Sequence, residues 1–283
     1  MKRFGHANEH GRNNLGYYYY ITMIDSKKVI AIEARLRDCR NVITLGVRPN
    51  FSDYSPQEAD LIRSAKKIYY PTTFYADLFD AMGKSTFPSY HTYKCVQDKI
   101  KQTALFDLLE ISHPRTRVFY GKRQKPTITE YFKFPFIGKV ARGSAMGIGV
   151  YLIKNKDDLF SYLNIVTPAY IQEYIPSDRD IRVVVIGNRI VHAYWRIAPP
   201  SDFRSNVSVG GSISLDPVPE EALDLALHTA QSCKWNDVGI DICMYKDKYY
   251  VLEANMKYGK EGFRRAGIDY IKLMEDMIEN EEL

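Results

Sequence analysis

A polar turn between two strand-like segments near the end of the chain constrains the fold more than any other feature. Residues 238–245 and 249–255 are rich in β-branched and aromatic side chains, the pattern of two paired strands. We place the centre of the turn at Asp247, which sets which residues of the two strands lie opposite each other. The segment therefore predicts an antiparallel hairpin with a defined register.

That register brings acidic side chains together. Asp241 lies opposite Glu253, and Asn255 lies on the same face because side chains alternate along a strand. Opposed carboxylates destabilise a sheet unless something neutralises them, and hard oxygen ligands suit Mg²⁺ or Mn²⁺. We interpret the three residues as a metal site. The alternative is a shifted register in which the acids reach water separately.

A glycine-containing loop, residues 143–149, connects predicted strands at 136–140 and 150–153 and follows Lys139. Glycines let backbone N–H groups approach phosphate oxygens, and a lysine adds a positive charge. A strand follows this loop, whereas a helix follows a Walker loop or a Rossmann turn. The loop is interpreted as a phosphate-binding loop, with an ordinary glycine hairpin as the alternative.

A third group of polar residues begins at residues 172–176, where a predicted strand ends. Backbone groups at such a hinge can bind a purine edge, and a following carboxylate can accept the hydroxyls of a ribose. Further on, Arg196 and the sequence Arg204-Ser205-Asn206 supply groups that could hold phosphate oxygens or a developing oxyanion. The alternative is that residues 172–176 are only the end of a strand with solvated charges, and that the arginines lie on the protein surface.

Composition limits the class of protein. The chain has no run of about 20 apolar residues and no apolar signal segment, so we expect a cytoplasmic protein without a membrane span. Its four cysteines form no CxxC pair, so neither a zinc site nor a disulfide framework is predicted. Alternating helix and strand patterns predict a mixed α/β fold with domains at residues 1–94 and 95–283, the second divided near residue 175. Besides the strands named above, we predict strands at residues 17–24, 28–34, 67–70, 169–174, 181–186 and 190–195, the last two joined by a turn at Gly187-Asn188. Helices are predicted at residues 56–65, 74–82, 96–110, 156–163, 219–233 and 267–279, and a connector at residues 86–93.

The positive charge is concentrated at the start of the chain. Residues 1–48 contain nine basic and four acidic side chains, which accounts for the whole net charge of +5. This region could attract an anionic partner or substrate, or it could be a solvated surface. Nothing in the pattern predicts a nucleic-acid partner, and the oligomeric state, including a homo-oligomer, stays open.

Taken in order, these motifs resemble those of the RimK-type glutamate ligases of the ATP-grasp superfamily. The shared elements cover residues 95–265. They comprise Asp98-Lys99, Lys139, the sequence from Gly143 to Val150, Gln172 to Ile175, Asp180-Ile181-Arg182, Phe203 to Asn206 with Gly210-Gly211, Gly239 to Ile242, and Glu253-Ala254-Asn255 with Glu261-Gly262. The resemblance implies an ATP-grasp fold, a small N-terminal α/β lobe followed by two α+β lobes that grip ATP.

The resemblance also implies roles for individual residues. Arg196 and Arg204 would serve catalysis, with Arg196 near an acyl phosphate and Arg204 at the γ-phosphate. Asp241, Glu253 and Asn255 would bind two Mg²⁺ or Mn²⁺ ions. ATP would be bound by Lys99, Lys139, Ser144, Gly147, Glu173, Tyr174, Ile175, Asp180, Arg182, Arg204, Ser205 and Asn206.

The activity implied is that of an ATP-dependent ligase, which activates a carboxylate as an acyl phosphate and joins it to an amine. The substrates would be small molecules or peptides. A small-molecule kinase of the same fold and a nucleotide-binding protein without catalysis are the alternatives. After the asparagine that binds metal, which corresponds to Asn255, the family has a small residue, proline and glycine, whereas this chain has Met256-Lys257-Tyr258-Gly259. This departure predicts an anionic acceptor other than plain glutamate.

Overall fold

The computed structural model describes residues 28–143, 148–200 and 202–283. Within them, three sheets follow one another along the chain, the first parallel and the other two antiparallel. The predicted mixed α/β architecture is confirmed. The strand expected at residues 17–24 lies outside the described residues, as do Ser144 and Gly147 of the glycine loop.

The first sheet has the strand order β2-β1-β3-β4, and all its described pairs are parallel. Helix α1 begins with a capping box, in which Ser55 accepts from the N–H of Glu58 and the Glu58 carboxylate accepts from the N–H of Ser55. We predicted a plain connector over residues 86–93, which is wrong, because strand β4 and the first turn of helix α3 occupy it. The strands are β1 (Val29–Ala31), β2 (Val42–Thr44), β3 (Lys67–Tyr69) and β4 (Ser85–Phe87).

The helix predicted over residues 96–110 is helix α4 (Lys99–Leu108), and a separate helix that was not predicted, α3 (Tyr90–Val96), ends just before it. The break has a local cause: the Asp98 side chain accepts from the backbone N–H groups of Ile100 and Lys101 and so begins a new helix. As a result Lys99 lies in the first turn of α4, where it is buried.

The second sheet has the strand order β5-β8-β6-β7. Its strands are β5 (Thr116–Phe119), β6 (Phe136–Lys139), β7 (Val150–Ile153) and β8 (Ala169–Glu173). One face packs against helix α7 (Lys156–Ile165) in a separate apolar cluster that includes Phe136, Ile153 and Tyr162. The predicted strands at 136–140, 150–153 and 169–174 are confirmed to within one residue.

The third sheet has the strand order β11-β10-β9-β12-β13. Its centre, β9, is an apolar run in which residues 181–186 are all buried, as expected of a strand covered on both faces. Helix α8 (Glu220–Ser232) covers one face of the sheet, and helix α10 (Tyr270–Glu279) packs in the apolar cluster on the other face. The strands are β9 (Arg179–Ile186), β10 (Arg189–Ile197), β11 (Ser212–Ser214), β12 (Asp237–Tyr245) and β13 (Lys248–Asn255).

The β12–β13 hairpin has the predicted pairing of Asp241 with Glu253, but for a different reason. Its turn is centred between Lys246 and Asp247, both with positive φ, one half-residue from the predicted centre. A β-bulge at Leu252 then adds one residue to β13 and restores the register. The bulge therefore decides that the two acids meet.

The helices, in chain order, are α1 (Pro56–Ser64), α2 (Thr72–Ala81), α3 (Tyr90–Val96), α4 (Lys99–Leu108), α5 (Gly121–Gln124), α6 (Ile128–Tyr131), α7 (Lys156–Ile165), α8 (Glu220–Ser232), α9 (Glu261–Arg265) and α10 (Tyr270–Glu279). Among the described residues, none of them is long and apolar enough to cross a bilayer. The closing helix expected at 267–279 begins only at Tyr270. The domain boundaries at residues 94 and 175 stay predictions.

Candidate active site

A cavity lies between the second and third sheets. Strands β6, β7 and β8 and the segment that follows β8 line one part of it, and strands β9, β10, β12 and β13 with residues 203–206 line the rest. Most of the described residues predicted to serve catalysis or to bind nucleotide or metal line this cavity, namely Lys139, Glu173, Tyr174, Ile175, Asp180, Arg196, Arg204, Ser205, Asn206, Asp241 and Glu253.

The segment between β8 and β9 forms one end of the cavity. The backbone N–H of Glu173 donates to the carbonyl of Arg115 at 2.8 Å, so this N–H is already used within the protein. Tyr174 and Ile175 line the cavity, and the Tyr174 ring lies 6.4 Å from that of Phe203. The segment therefore has an apolar character suited to a planar base.

Two buried lysines face the carboxylate of Glu253. The Nζ of Lys99 lies 3.6 Å from Glu253 Oε2, and the Nζ of Lys139 donates to the carbonyl of Leu252, the bulge residue, at 3.5 Å. Burial lowers the pKa of Lys139, while the charge of Glu253 opposes that shift. The bulge thus contributes to the site directly.

Glu253 stays ionised at neutral pH. Burial by itself would raise its pKa, but the charges of Lys99 and Lys139, with a 2.8 Å hydrogen bond from Asn255 Nδ2, outweigh burial and lower the pKa to about 2. The carboxylate therefore remains an anionic oxygen ligand across the physiological range.

A buried network of arginines and carboxylates lies beside this group. Arg196 contacts both oxygens of Asp180 at 2.6 and 2.7 Å and Asp241 Oδ2 at 2.8 Å. Arg182 donates to both oxygens of Asp241, at 3.0 Å to Oδ2, and to the carbonyl of Tyr258 at 3.1 Å. The hydroxyl of Ser205 donates to Asp180. The network neutralises both aspartates and holds their side chains in place.

The predicted roles of these residues are affected by this network. Asp180, expected to meet a ribose, is bound by Arg196 and Ser205 although it lines the cavity. Arg204, expected at the γ-phosphate, forms an ion pair with Asp202 at 2.6 Å. The roles expected from the resemblance stay predictions, and contact of either residue with nucleotide would require an exchange of partners.

A second cavity adjoins the first. Arg196 and Asn206 line both cavities, so they form the boundary between them. The second cavity has a volume of about 120 Å³. Its lining includes the predicted residues Arg182 and Asn255 together with Tyr194, Lys257, Tyr258 and Glu261.

Sequence reasoning missed a buried cluster that joins the first sheet to the third. The Asp237 carboxylate accepts from the hydroxyls of Tyr258 at 2.7 Å and Tyr70 at 3.0 Å. The guanidinium of Arg35 lies 4.6 Å from the centre of the Tyr258 ring and donates to the carbonyl of Met256 at 3.0 Å. The signal in the sequence that could have indicated this cluster is Asp237, a charged residue at the start of the apolar strand β12. Through Tyr258, this cluster adjoins Arg182 and hence Asp241.

The donor set fits a divalent cation in its chemistry. Asp241 and Glu253 line the same cavity and are hard oxygen ligands. Among the described residues, no group of three or more His, Cys, Asp and Glu side chains is arranged to hold a metal. Mg²⁺ is commonly bound by one or two carboxylates and substrate phosphates, so two carboxylates and Asn255 suffice if a phosphate supplies the other ligands.

The fold is that of the ATP-grasp ligases. The crystal structure of D-alanine–D-alanine ligase from Bacillus anthracis complexed with ATP matches with a TM-score of 0.69, covering 90% of this chain and 97% of that chain at 15% identity. The sequence model of the RimK-like ATP-grasp domain matches residues 96–278. The chain belongs to this family.

Relatives in sequence carry ligase names. The coenzyme gamma-F420-2:alpha-L-glutamate ligase of Methanocaldococcus jannaschii is 30% identical over 187 residues, which are 63% of this chain and 64% of that protein. A probable alpha-L-glutamate ligase of Nitrosococcus oceani is 36% identical over 138 residues, 47% of this chain and 46% of that protein. The chain therefore spans less than two thirds of the length of these relatives.

Proposed function

We propose that the protein is an ATP-dependent carboxylate–amine ligase. The observation that carries this proposal is the pair of adjoining cavities that share Arg196 and Asn206. A nucleotide in the first cavity and a carboxylate in the second would meet at this boundary. Such an arrangement supports transfer of a phosphoryl group from one cavity to the other.

In the nucleotide cavity, the base would lie against Tyr174 and Ile175 and the phosphates would lie toward Lys99 and Lys139. The glycine loop with Ser144 and Gly147 would cover the phosphates. The ribose and phosphate groups of the nucleotide would lie near Asp180, Arg182, Ser205 and Asn206. Both lysines are buried, and a buried positive charge binds phosphate more strongly than an exposed one.

Asp241, Glu253 and Asn255 would hold Mg²⁺ or Mn²⁺, with two ions as the full complement. When bound, the cations would offset the negative charge of the transferring phosphoryl group. The chain's own part is to keep Glu253 ionised through Lys99 and Lys139 and to hold Asp241 through Arg182 and Arg196.

The proposed reaction has two steps. An oxygen of the substrate carboxylate attacks the γ-phosphorus, the bond to the β-phosphate oxygen breaks, and ADP leaves. The amine nitrogen then attacks the acyl carbon, the carbon–oxygen bond to phosphate breaks, and phosphate leaves as the nitrogen loses a proton. Arg196 and Arg204 would stabilise the charge that develops on the phosphoryl and acyl oxygens.

We expect Lys139→Ala to weaken ATP binding by about tenfold or more, since a charge-assisted hydrogen bond contributes roughly 1.5–3 kcal/mol. Isothermal titration calorimetry with a non-hydrolysable ATP analogue and Mg²⁺ measures the change. The exposed Lys154 provides the control, and Lys154→Ala should bind normally. Equal affinities of wild type and Lys139→Ala would exclude Lys139 from the phosphate site.

The acceptor is proposed to be anionic. The exposed side chain of Lys257 lines the second cavity and forms no ion pair with the described part of the chain. Glu261, the acid in that lining, is already paired with Arg264 and Arg265. Glu33 interacts with Lys257 electrostatically without forming a close ion pair, and an ammonium that lacks a close ion pair beside a substrate cavity favours a negatively charged group.

Lys257→Met should therefore raise the KM of an anionic acceptor by about fivefold or more and change the KM of ATP little, an effect of about 1 kcal/mol for a partly solvated ion pair. Steady-state kinetics at low and high salt measure it. The matched control is Lys248→Met at an exposed position outside both cavities, and it should leave the KM of the acceptor unchanged. If the acceptor is neutral or cationic, or if its KM does not change with salt, the charge argument is wrong.

The test of the function is ADP release against a matrix of acids and amines, with mass spectrometry of the products. A ligase releases phosphate only when both substrates are present and yields an amide of defined mass. A stable phosphoester would show a kinase instead. Binding of Mg·ATP without turnover under every pair would favour a nucleotide-binding protein.

A further inference from the structure

The outer edge of the second sheet carries a concentrated positive charge. Residues 115–133 contain six basic side chains and one acid. The Nζ of Lys125 is used internally, because it donates to the carbonyls of Leu163 and Val166. The remaining basic residues are exposed, and we call them the basic edge: Arg115, Arg117, Lys122, Arg123 and Lys133.

The two arginines of strand β5 are held by aromatic rings. The guanidinium of Arg117 lies 4.0 Å from the centre of the Tyr131 ring, and that of Arg115 lies 4.7 Å from the centre of the Phe132 ring. Stacking on a ring restricts a guanidinium while leaving its N–H groups in the plane free to donate outward. The arginines are therefore ordered before any partner arrives.

Most of the basic edge lacks acidic partners. Among residues 28–143, 148–200 and 202–283, no carboxylate forms an ion pair within 4.0 Å with Arg117, Lys122, Arg123 or Lys133. Arg115 forms an ion pair with Glu173 at 3.7 Å, but the side chains are 63% and 48% exposed, so this pair contributes little. None of these five side chains lines either cavity. Neither the proposed nucleotide site nor the acceptor site explains the charge.

Strand β5 is also an edge strand. In the part of the chain that the structure describes, it pairs with β8 on one side and with no strand on the other. Alternate backbone N–H and C=O groups of an edge strand point outward and can pair with an added extended segment. The same stretch thus offers backbone pairing and positive side chains.

We propose that the basic edge is a docking surface for an extended acidic segment of a polypeptide. Carboxylates match the planar donor groups of Arg117 and Arg115, and the peptide backbone can add to β5. Nucleic acid fits less well, because Arg117 and Arg115 already cover ring faces of Tyr131 and Phe132 that bases would need for stacking. The backbone N–H of Glu173 donates to the Arg115 carbonyl, so the docked segment would lie next to the hinge of the nucleotide cavity.

The test is fluorescence anisotropy without nucleotide. The probe is a labelled peptide of about ten alternating glutamate and valine residues, the upper length of a typical strand. An oligothymidylate of equal charge is the second probe. The patch variant is Arg117→Glu/Lys122→Glu/Arg123→Glu, and the control Lys154→Glu/Lys156→Glu/Lys248→Glu has the same change of net charge at other exposed lysines.

We expect the wild type and the control to bind the peptide within about twofold of each other, and the patch variant to bind at least about tenfold more weakly. Affinity for the ATP analogue should be equal in the three proteins, because the altered residues line neither cavity. The patch variant should remain folded, with its unfolding midpoint lowered only slightly through loss of the exposed contact between Arg117 and Tyr131. Docking is disproved if the peptide does not bind, if the control loses as much affinity as the patch variant, or if the oligonucleotide binds more tightly through the same residues. An inactive enzyme could still bind the peptide, so failure of the proposed ligase activity would be distinguishable.

Discussion

Glu253→Gln is expected to lower turnover by about a thousandfold or more while the protein stays folded. Glu253 is ionised well below neutral pH and lies between Lys99 and Lys139 on one side and Asn255 on the other. Glutamine keeps the size of the side chain but removes the charge that a divalent cation requires, and the loss of one electrostatic contributor at a phosphoryl-transfer site has effects of this order.

Stability should change less than activity. The substitution leaves two lysines without their counterion but also removes the carboxylate opposite Asp241, so the two effects oppose each other. Metal-dependent ADP release and thermal unfolding measure the two quantities, with Glu279→Gln, an exposed position, as the control. Normal metal-dependent turnover of Glu253→Gln would contradict the assignment of Glu253 to the metal site.

The pH dependence follows from the same pKa. Because folding lowers the pKa of Glu253 from 4.5 to about 2, its ionised form stabilises the folded state above about pH 4.5, and this contribution is lost as the pH falls toward 2. Between pH 5 and 8 its charge does not change. A change of activity in that range would therefore come from another group.

Arg196→Met should lower the free energy of unfolding by about 3–5 kcal/mol and abolish turnover. Arg196 is buried and bridges Asp180 and Asp241. Methionine fills much of the same volume but leaves two carboxylates in the interior without this cation, and breaking a buried ion pair from one side has a cost of this size. Arg182 remains as a partner for Asp241 alone.

Urea denaturation and ADP release measure these effects. Arg179→Met, which breaks an exposed pair with Asp178, should cost about 1 kcal/mol or less. Adding Asp180→Asn to Arg196→Met should restore part of the stability, because one unpaired charge is neutralised, but should not restore turnover. An unfolding midpoint of Arg196→Met equal to that of wild type would show that the network does not hold this part of the protein together.

Local sequence patterns predicted most of the strands in the second and third sheets. The apolar run of β9, the Gly187-Asn188 turn and the strands around the glycine loop follow from periodicity and turn residues. The short strands β2, β4, β5 and β11 were not predicted, since segments of three or four residues have too little periodicity to be distinguished from loops. The strand β5 and the charge beside it were missed for the same reason.

The sequence by itself determined the family motifs, most of the helix and strand pattern, and the hairpin that carries Asp241 and Glu253, because these depend on residues close together in the chain. Only the tertiary structure decided how those carboxylates are neutralised. Arg182 and Asp241 are 59 residues apart in sequence and lie on neighbouring strands, and the Leu252 bulge sets the final register. The order of strands in a sheet and the position of a bulge depend on packing between distant segments, which no local pattern encodes.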